Sequence, residues 1–182
     1  MMPQKPEPDV TDLDFQSFAE YAHGRTSELV DDADLEAASL VLTLHRAAGT
    51  VVYDLESTVH RPAGWSWSGF RLLYVLWVSG PLEARHAARL SGMSRQSTST
   101  LSKTLERHGL LTRAPLPDDG RLITYALTAE GEQRVREVYR AHNDRERLWS
   151  RLLTPEERAA VVSALGKLLA AADDLEVRRR AD

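Results

Sequence analysis

The residues of this sequence whose types and spacing could do chemistry sit in one stretch, RQSTSTLSKTLER, from Arg95 to Arg107. Donors dominate it. Glutamine can pair with adenine, arginine with guanine, and serine or threonine with base edges or phosphates. That chemistry reads a duplex; it does not break bonds. The spacing predicts a helix over Ser94 to His108. Ser94 supplies an N-cap hydroxyl for a free first-turn amide, and Gly109 supplies a left-handed stop. Thr98, Leu101 and Leu105 recur at helical spacing as an inward stripe. Arg95, Gln96, Ser97, Ser99, Thr100, Lys103 and Arg107 remain for a partner, and Glu106 is the helix's only carboxylate. A merely solvated amphipathic helix usually carries both charge signs. This face is basic and rich in hydroxyls instead.

The following residues extend the same reading. Leu110 to Arg113 can form a short strand, and Ala114 to Gly120 (APLPDDG) carries turn chemistry in its prolines, aspartates and glycine. Leu122 to Leu127 (LITYAL) is β-rich and roughly alternating. A helix followed at once by a hairpin tipped with Arg121 describes a wing. Arginine at a wing tip suits the negative potential of a minor groove.

Leu90 to Gly131 resembles the multiple antibiotic resistance regulator (MarR) family of winged-helix transcription factors. The carrying residues are LSGMSRQSTSTLSKTLERHGLLTR, then Asp119-Gly120-Arg121, then LTAEG at Leu127 to Gly131. As a helix order the resemblance extends over about Leu35 to Leu175. It implies that Ser97, Ser99, Thr100 and Lys103 face DNA, that Arg121 enters the minor groove, and that Asp119 braces the wing. Many members carry arginine where this chain has Thr100 or Leu101, so base preference is not transferable.

Charge supports a local nucleic-acid surface. The chain's net charge is −4, but Arg85 to Tyr125 holds seven cations against three acids, a balance of +4. The remainder is therefore −8, and Met1 to Leu40 alone has ten acids and two cations. A segregated basic patch matters more here than the global balance. There are no cysteines, which excludes disulfides, thiolate sensing and cysteine-based zinc sites. No apolar run reaches the roughly 18 residues of a membrane span, and the first residues do not read as a signal peptide. The expectation is a soluble cytoplasmic protein without membrane contact.

Around the reading helix the chain falls into positioning elements. The leader Met1 to Val10 is proline-rich and expected to be disordered. Asp12 to His23 reads as a short helix, capped at Thr11 or Asp12 and stopped near Gly24. Its aromatics either cover a dimer or pocket surface or belong to a loose arm. Asp34 to Val59 reads as one long helix with a continuous apolar stripe, longer than a small core requires. Trp67 to Ser79 is apolar on nearly every side and should be buried. Arg71 is its one charge, open to two readings: an ion-paired or first-turn exposed residue, or an anion-binding residue. Leu82 to Leu90, the Ser91-Gly92 turn and the reading helix make a helix-turn-helix. Arg85 and Arg89 could touch phosphates. Thr128 starts a charged helix to about Trp149. Thr154-Pro155-Glu156-Glu157 is a capping box that starts a last amphipathic helix to Leu175, and Arg178 to Arg180 form a tail.

The expected fold is mainly α with a small β-hairpin wing. An extension (1–33) precedes a helical dimerisation region (34–60 and 128–176), which flanks a winged helix-turn-helix (61–127) and leaves a tail (177–182). The stripes of the outer helices exceed what a winged helix can cover, which points to a homodimer reading a pseudo-palindromic operator. No phosphate loop, nucleophile elbow or HExxH motif is present. The six histidines never fall within four residues of each other, and Glu83 with His86 makes one isolated ExxH. No enzyme activity, cofactor or metal is expected. The resemblance further implies a small aromatic or phenolic effector between the dimer helices and the winged helix, with His45, Trp67, Arg71 and Tyr74 as lining residues. The urate-responsive branch has an acid where Arg71 stands and arginine where Leu101 stands, so urate is not expected. The competing class is a winged-helix protein-interaction module without specific DNA binding.

Overall fold

The computed structural model describes residues 10–115 and 122–171. The leader, the hairpin tip with Asp119 and Arg121, and the tail lie outside them. The chain divides into two compact units, Met1–Val51 and Val52–Asp182.

The first unit holds a 3-10 turn at Val10–Asp12, helix α1 at Phe15–Leu29 and most of helix α2, Leu35–Leu55. The cap of α1 is Asp14, not Thr11 or Asp12. Its carboxylate accepts the Ser17 amide at 2.8 Å and the Ser17 hydroxyl at 2.7 Å, and these bonds hold Asp14 below the usual carboxylate range. Nor does α1 stop at Gly24. A single internal glycine costs only about 1 kcal/mol, and the Ser27 hydroxyl bonds back to the Gly24 carbonyl at 2.7 Å. The chain leaves the helix at Val30, which is extended. Asp34 caps α2 by accepting the Ala37 amide at 2.9 Å. The expected stripe on α2 is only partly covered: Val41 is 64 % exposed, Leu35, Leu42 and Val52 are half-buried, and only Leu55 of this helix is buried.

The second unit begins where α2 gives way to a π-helical turn, Glu56–His60. The expected unbroken helix to Val59 therefore ends early, and the wider turn buries both Val59 and His60. Helix α3 spans Trp67–Ser79, capped by the Ser66 hydroxyl, which accepts the Gly69 amide at 3.1 Å. Next come strand β1 (Leu82–Glu83), α4 (Ala84–Ser91) and α5 (Arg95–Arg107). Strands β2 (Leu111–Pro115) and β3 (Ile123–Leu127) precede α6 (Ala129–Ser150) and α7 (Pro155–Ala170). Leu82 and Glu83, expected to open the short helix, instead pair with Tyr125 and Thr124 of β3. The sheet order is β1-β3-β2, antiparallel throughout. Pairing satisfies the backbone of the residues after Pro81 before α4 can begin.

Helix α3 carries the core. Leu72 and Leu73 are fully buried, and Phe70 and Leu76 nearly so, among Ala87, Leu105, Leu111, Tyr125 and Val135. The reading helix α5 is fixed from within by Thr98, Ser102 and Leu105. The hydroxyls of Thr98 and Ser102 bond to the carbonyls of Ser94 and Ser99, both at 3.0 Å, so neither is left unsatisfied. The start of α6 is set against β2 at van der Waals limit. A Cβ on Gly131 would lie 1.9 Å from the Leu110 carbonyl oxygen. Thr128 locks the same junction, donating its hydroxyl to the Gly109 carbonyl at 2.6 Å and accepting the Gly131 amide at 2.9 Å.

One polar pair lies inside this core. His60 Nε2 and His142 Nδ1 are 3.1 Å apart, and His142 Nε2 is 3.0 Å from a Glu146 carboxylate oxygen. The carboxylate can only accept, so His142 donates to Glu146 from Nε2 and accepts from His60 at Nδ1. That leaves His60 Nδ1 a buried lone pair without a partner among the described residues. His60 stacks on Phe70 with centroids 4.3 Å apart. Burial, then the neighbouring His142, pushes His60 down to about 4, against a smaller opposing pull from Glu56. Burial also lowers His142, partly offset by Glu146.

Two tests follow from these contacts. Gly131→Ala should force α6 off β2 and cost roughly 2–4 kcal/mol, read as a large fall in Tm. Stability should be full above the ordinary histidine value of 6.5 and be lost as pH falls from there toward about 4. In that window the unfolded chain binds protons that folded His60 refuses. Thermal melts across it should show Tm falling with pH, and His60→Phe should flatten that dependence; an equal slope in the variant would place the titration elsewhere.

Candidate nucleic-acid interface and adjoining cleft

Ser94 begins the reading helix as expected, accepting the Ser97 amide at 3.1 Å and donating its hydroxyl to Ser97 Oγ at 2.8 Å. With Thr98, Ser102 and Leu105 turned inward, Arg95, Gln96, Ser97, Thr100, Lys103 and Arg107 are exposed together on the outer side, and Ser99 is half-buried. None of these exposed residues forms an ion pair among the described residues. Arg107 bonds only to the Thr104 hydroxyl, at 3.1 Å. Asp119 and Arg121 fall in the hairpin tip and so outside the described residues. At the base of the hairpin, Arg113 lies over the Tyr125 ring at 5.9 Å and 3.6 Å from the Glu106 carboxylate. Arg113 also joins Arg85, Arg95 and Ser99 around a hollow of about 400 Å³ beside the reading helix. Sequence reasoning gave Arg113 no role, because its approach to Arg85 and Arg95 depends on strand pairing.

Two concavities meet at Arg71. The first is a groove of about 610 Å³ between the start of α3 and the reading helix, with Ser68, Gly92, Ser94, Gln96, Ser97 and Thr100 in its walls. The second is a cleft of about 330 Å³ between α3 and α6, lined by Trp67, Phe70, Tyr74, Tyr139, His142 and Glu146. Trp67, Arg71 and Tyr74 are thus brought together. His45 is not among them; it stands exposed on α2 in the first unit. The α6 contribution was not foreseen as a wall. His142 and Glu146 are visible in the sequence as an i, i+4 pair, but which helix they would face depends on the fold.

The cleft is an aromatic slot with one cation, Arg71, and one carboxylate, Glu146, in its lining. Tyr74 and Tyr139 stack at 5.4 Å, and Phe70 and Tyr74 at 5.8 Å. Burial, then Tyr74 and Glu146, raises the Tyr139 hydroxyl above the usual tyrosine value. Glu146 is tied on one oxygen to His142 and on the other to the Asn143 amide at 2.9 Å. Arg71 is half-buried, with its guanidinium 5.8 Å from the Trp67 ring. It has no ion pair among the described residues, and its buried Nε lacks an acceptor there. Desolvation alone lowers its affinity for the proton. Of the readings open for Arg71, the ion pair is absent among the described residues, and the side chain stands half-buried at two openings.

Among the described residues no three histidine or carboxylate side chains gather to hold a metal, and no helix is long and apolar enough to cross a membrane.

Comparisons with known proteins agree with this geometry. The MarR family model matches residues 65–123, from the start of α3 into β3. The HTH-type transcriptional regulator YwaE of Bacillus subtilis (strain 168) is 32% identical over 139 residues, 76% of this chain and 81% of its own. Sco3205, a MarR family transcriptional regulator from Streptomyces coelicolor solved in complex with DNA, superposes with a TM-score of 0.70 at 25% identity, covering 77% of this chain and 89% of its own. BpsR of Bordetella bronchiseptica, whose DNA binding is regulated by 6-hydroxynicotinic acid, superposes at 0.66 with 22% identity, covering 71% of this chain and 97% of its own. An exposed basic reading helix on a three-stranded wing, matched by family model and by relative, makes this chain a member of the MarR family: a winged-helix, DNA-binding transcriptional regulator and not an enzyme.

Proposed function

We propose that this regulator is a homodimeric repressor that binds a pseudo-palindromic operator and leaves it when a small aromatic or phenolic acid enters the cleft. The observation that carries the DNA half is the outer side of α5. Arg95, Gln96, Ser97, Thr100, Lys103 and Arg107 are exposed together, and the cations among them form no ion pair among the described residues. Arginine and glutamine there read base edges, whereas Ser99, Lys103 and Arg107 meet the backbone. Arg121 and Asp119 retain the wing roles that the family resemblance implies.

The dimer is supported by surfaces that a single chain leaves wet. Helix α7 has no buried residue, with Val162 71 % and Leu169 76 % exposed. Leaving such side chains in water forfeits about 25 cal/mol per Å² of apolar area, and a twofold partner recovers it. The effector is supported by the slot itself, whose aromatic walls are joined by a cation, Arg71, and a carboxylate, Glu146. Arg71 suits the acid group, the rings suit an aromatic body, and the His142–Glu146 pair suits a donor such as a phenol. The regulation of BpsR by 6-hydroxynicotinic acid, an acid of that kind, agrees. Release requires only that the ligand favour the state that cannot span the operator.

Fluorescence anisotropy with duplexes from upstream of the protein's own gene should reveal tight binding to one short palindrome that weakens steeply with salt. Binding that ignores sequence would refute the operator reading. Lys103→Ala should weaken binding several-fold on every sequence, and Gln96→Ala should do so mainly on the operator. Val162→Glu should yield monomers by analytical ultracentrifugation and lose operator binding; an intact dimer would remove α7 from the interface.

A further inference from the structure

The groove on the reading-helix side of Arg71 has a lining with one chemical bias. Its polar groups are the hydroxyls of Ser68, Ser94, Ser97, Thr100 and Thr104, the Gln96 amide and the Arg71 guanidinium, and no carboxylate is among them. A concavity with one cation, several hydroxyl donors and no acid selects an anion. Gln96, Ser97 and Thr100 belong at once to this wall and to the exposed side of α5. When those side chains enter a major groove, the sugar-phosphate strand bordering it passes the mouth of this concavity. We propose that the groove binds a backbone phosphate of the operator with Arg71 as its cation, and that the aromatic cleft competes for the same guanidinium. This rests on the DNA-reading and effector roles proposed above.

Three observations favour Arg71 as the shared group. It lines both concavities. It has no ion pair, and its buried Nε has no acceptor, among the described residues. It is also held at the helix-turn-helix itself: a Cβ on Gly92, which is left-handed at φ +67°, would lie 3.4 Å from an Arg71 terminal nitrogen. The guanidinium therefore sits against the turn that delivers the reading helix. It has donors enough for two anions but charge to neutralise only one. A carboxylate drawn into the cleft beside Trp67 and Tyr74 takes that charge from the phosphate, so ligand and phosphate compete for one side chain and the ligand weakens operator binding.

The test is the salt dependence of operator binding, measured by anisotropy. Each phosphate contact contributes about 0.9 to the slope of log affinity against log salt, so a dimer loses about 1.8 when both Arg71 contacts are removed. Arg71→Gln should show that loss, and Arg71→Lys, which keeps the charge, should restore the slope; melting curves establish that both variants fold. A steep wild-type slope left unchanged in Arg71→Gln would overturn the phosphate site and leave the DNA reading standing. A wild type without a steep slope on any duplex would overturn both. The second arm adds a ligand. With sodium benzoate or sodium 6-hydroxynicotinate saturating, and counted in the salt of every point, the wild-type slope should fall by the same amount and that of Arg71→Gln should stay where it was. A wild-type slope that neither acid changes would overturn the sharing of Arg71.

Discussion

The second unit depends on the covering of α3. A helix that is apolar on nearly every side cannot lie on a surface, so other elements must cover most of it, and its last turn, with Val78 58 % exposed, is left open. Helices α4, α5 and α6 and strand β3 supply that cover. The covering fixes the pitch at which α5 leaves the body and the place where α6 crosses. It also makes a charged residue on α3 costly unless it sits at an opening. Arg71 is that residue, and the two openings beside it are where the wrapping helices leave α3 uncovered. The site is thus a by-product of the packing: one gap lies between α3 and the reading helix α5, and the other, between α3 and α6, forms the slot.

What was legible in the sequence was what local chemistry decides. The N-caps Ser94, Thr128 and Thr154 stand where expected, because a hydroxyl three residues ahead of a free amide needs no distant partner. The capping box at Thr154 has both of its bonds, 2.7 Å and 3.2 Å. The bounds of α3 follow from unbroken hydrophobicity between Ser66 and Gly80. The inward stripe of α5 could be anticipated at Thr98 and Leu105, but Ser102 passes for a solvent residue until its hydroxyl is seen bonded to its own helix.

What was not legible depends on partners far along the chain. His60 meets His142 across 82 residues, and neither carries a local mark of that role. Leu82 and Glu83 look helical beside the alanines that follow, yet β3 claims them because it offers an open edge. Gly24 reads as a stop but is tolerated, because one glycine is a weak penalty and the helix has bonds on both sides of it. Gly131 is the reverse case. The motif LTAEG marks it without giving its reason, which appears only when the Leu110 carbonyl lies where a Cβ would be.

The polar core ties these levels together. Asp54 receives two bonds from Arg145, at 2.7 and 2.6 Å, and one from the Trp149 indole at 2.7 Å. One turn further on, His60 bonds His142, and His142 bonds Glu146 in the wall of the slot. The end of α2 and the π-helical turn are thereby keyed to α6 by directional bonds, which do not slide as an apolar contact can. These bonds gather at residues 142–149, so the wall of the 330 Å³ slot at His142 and Glu146 is held by the same set that fixes α6. The other end of α6 is fixed independently, by Thr128 and Gly131 against Gly109 and Leu110.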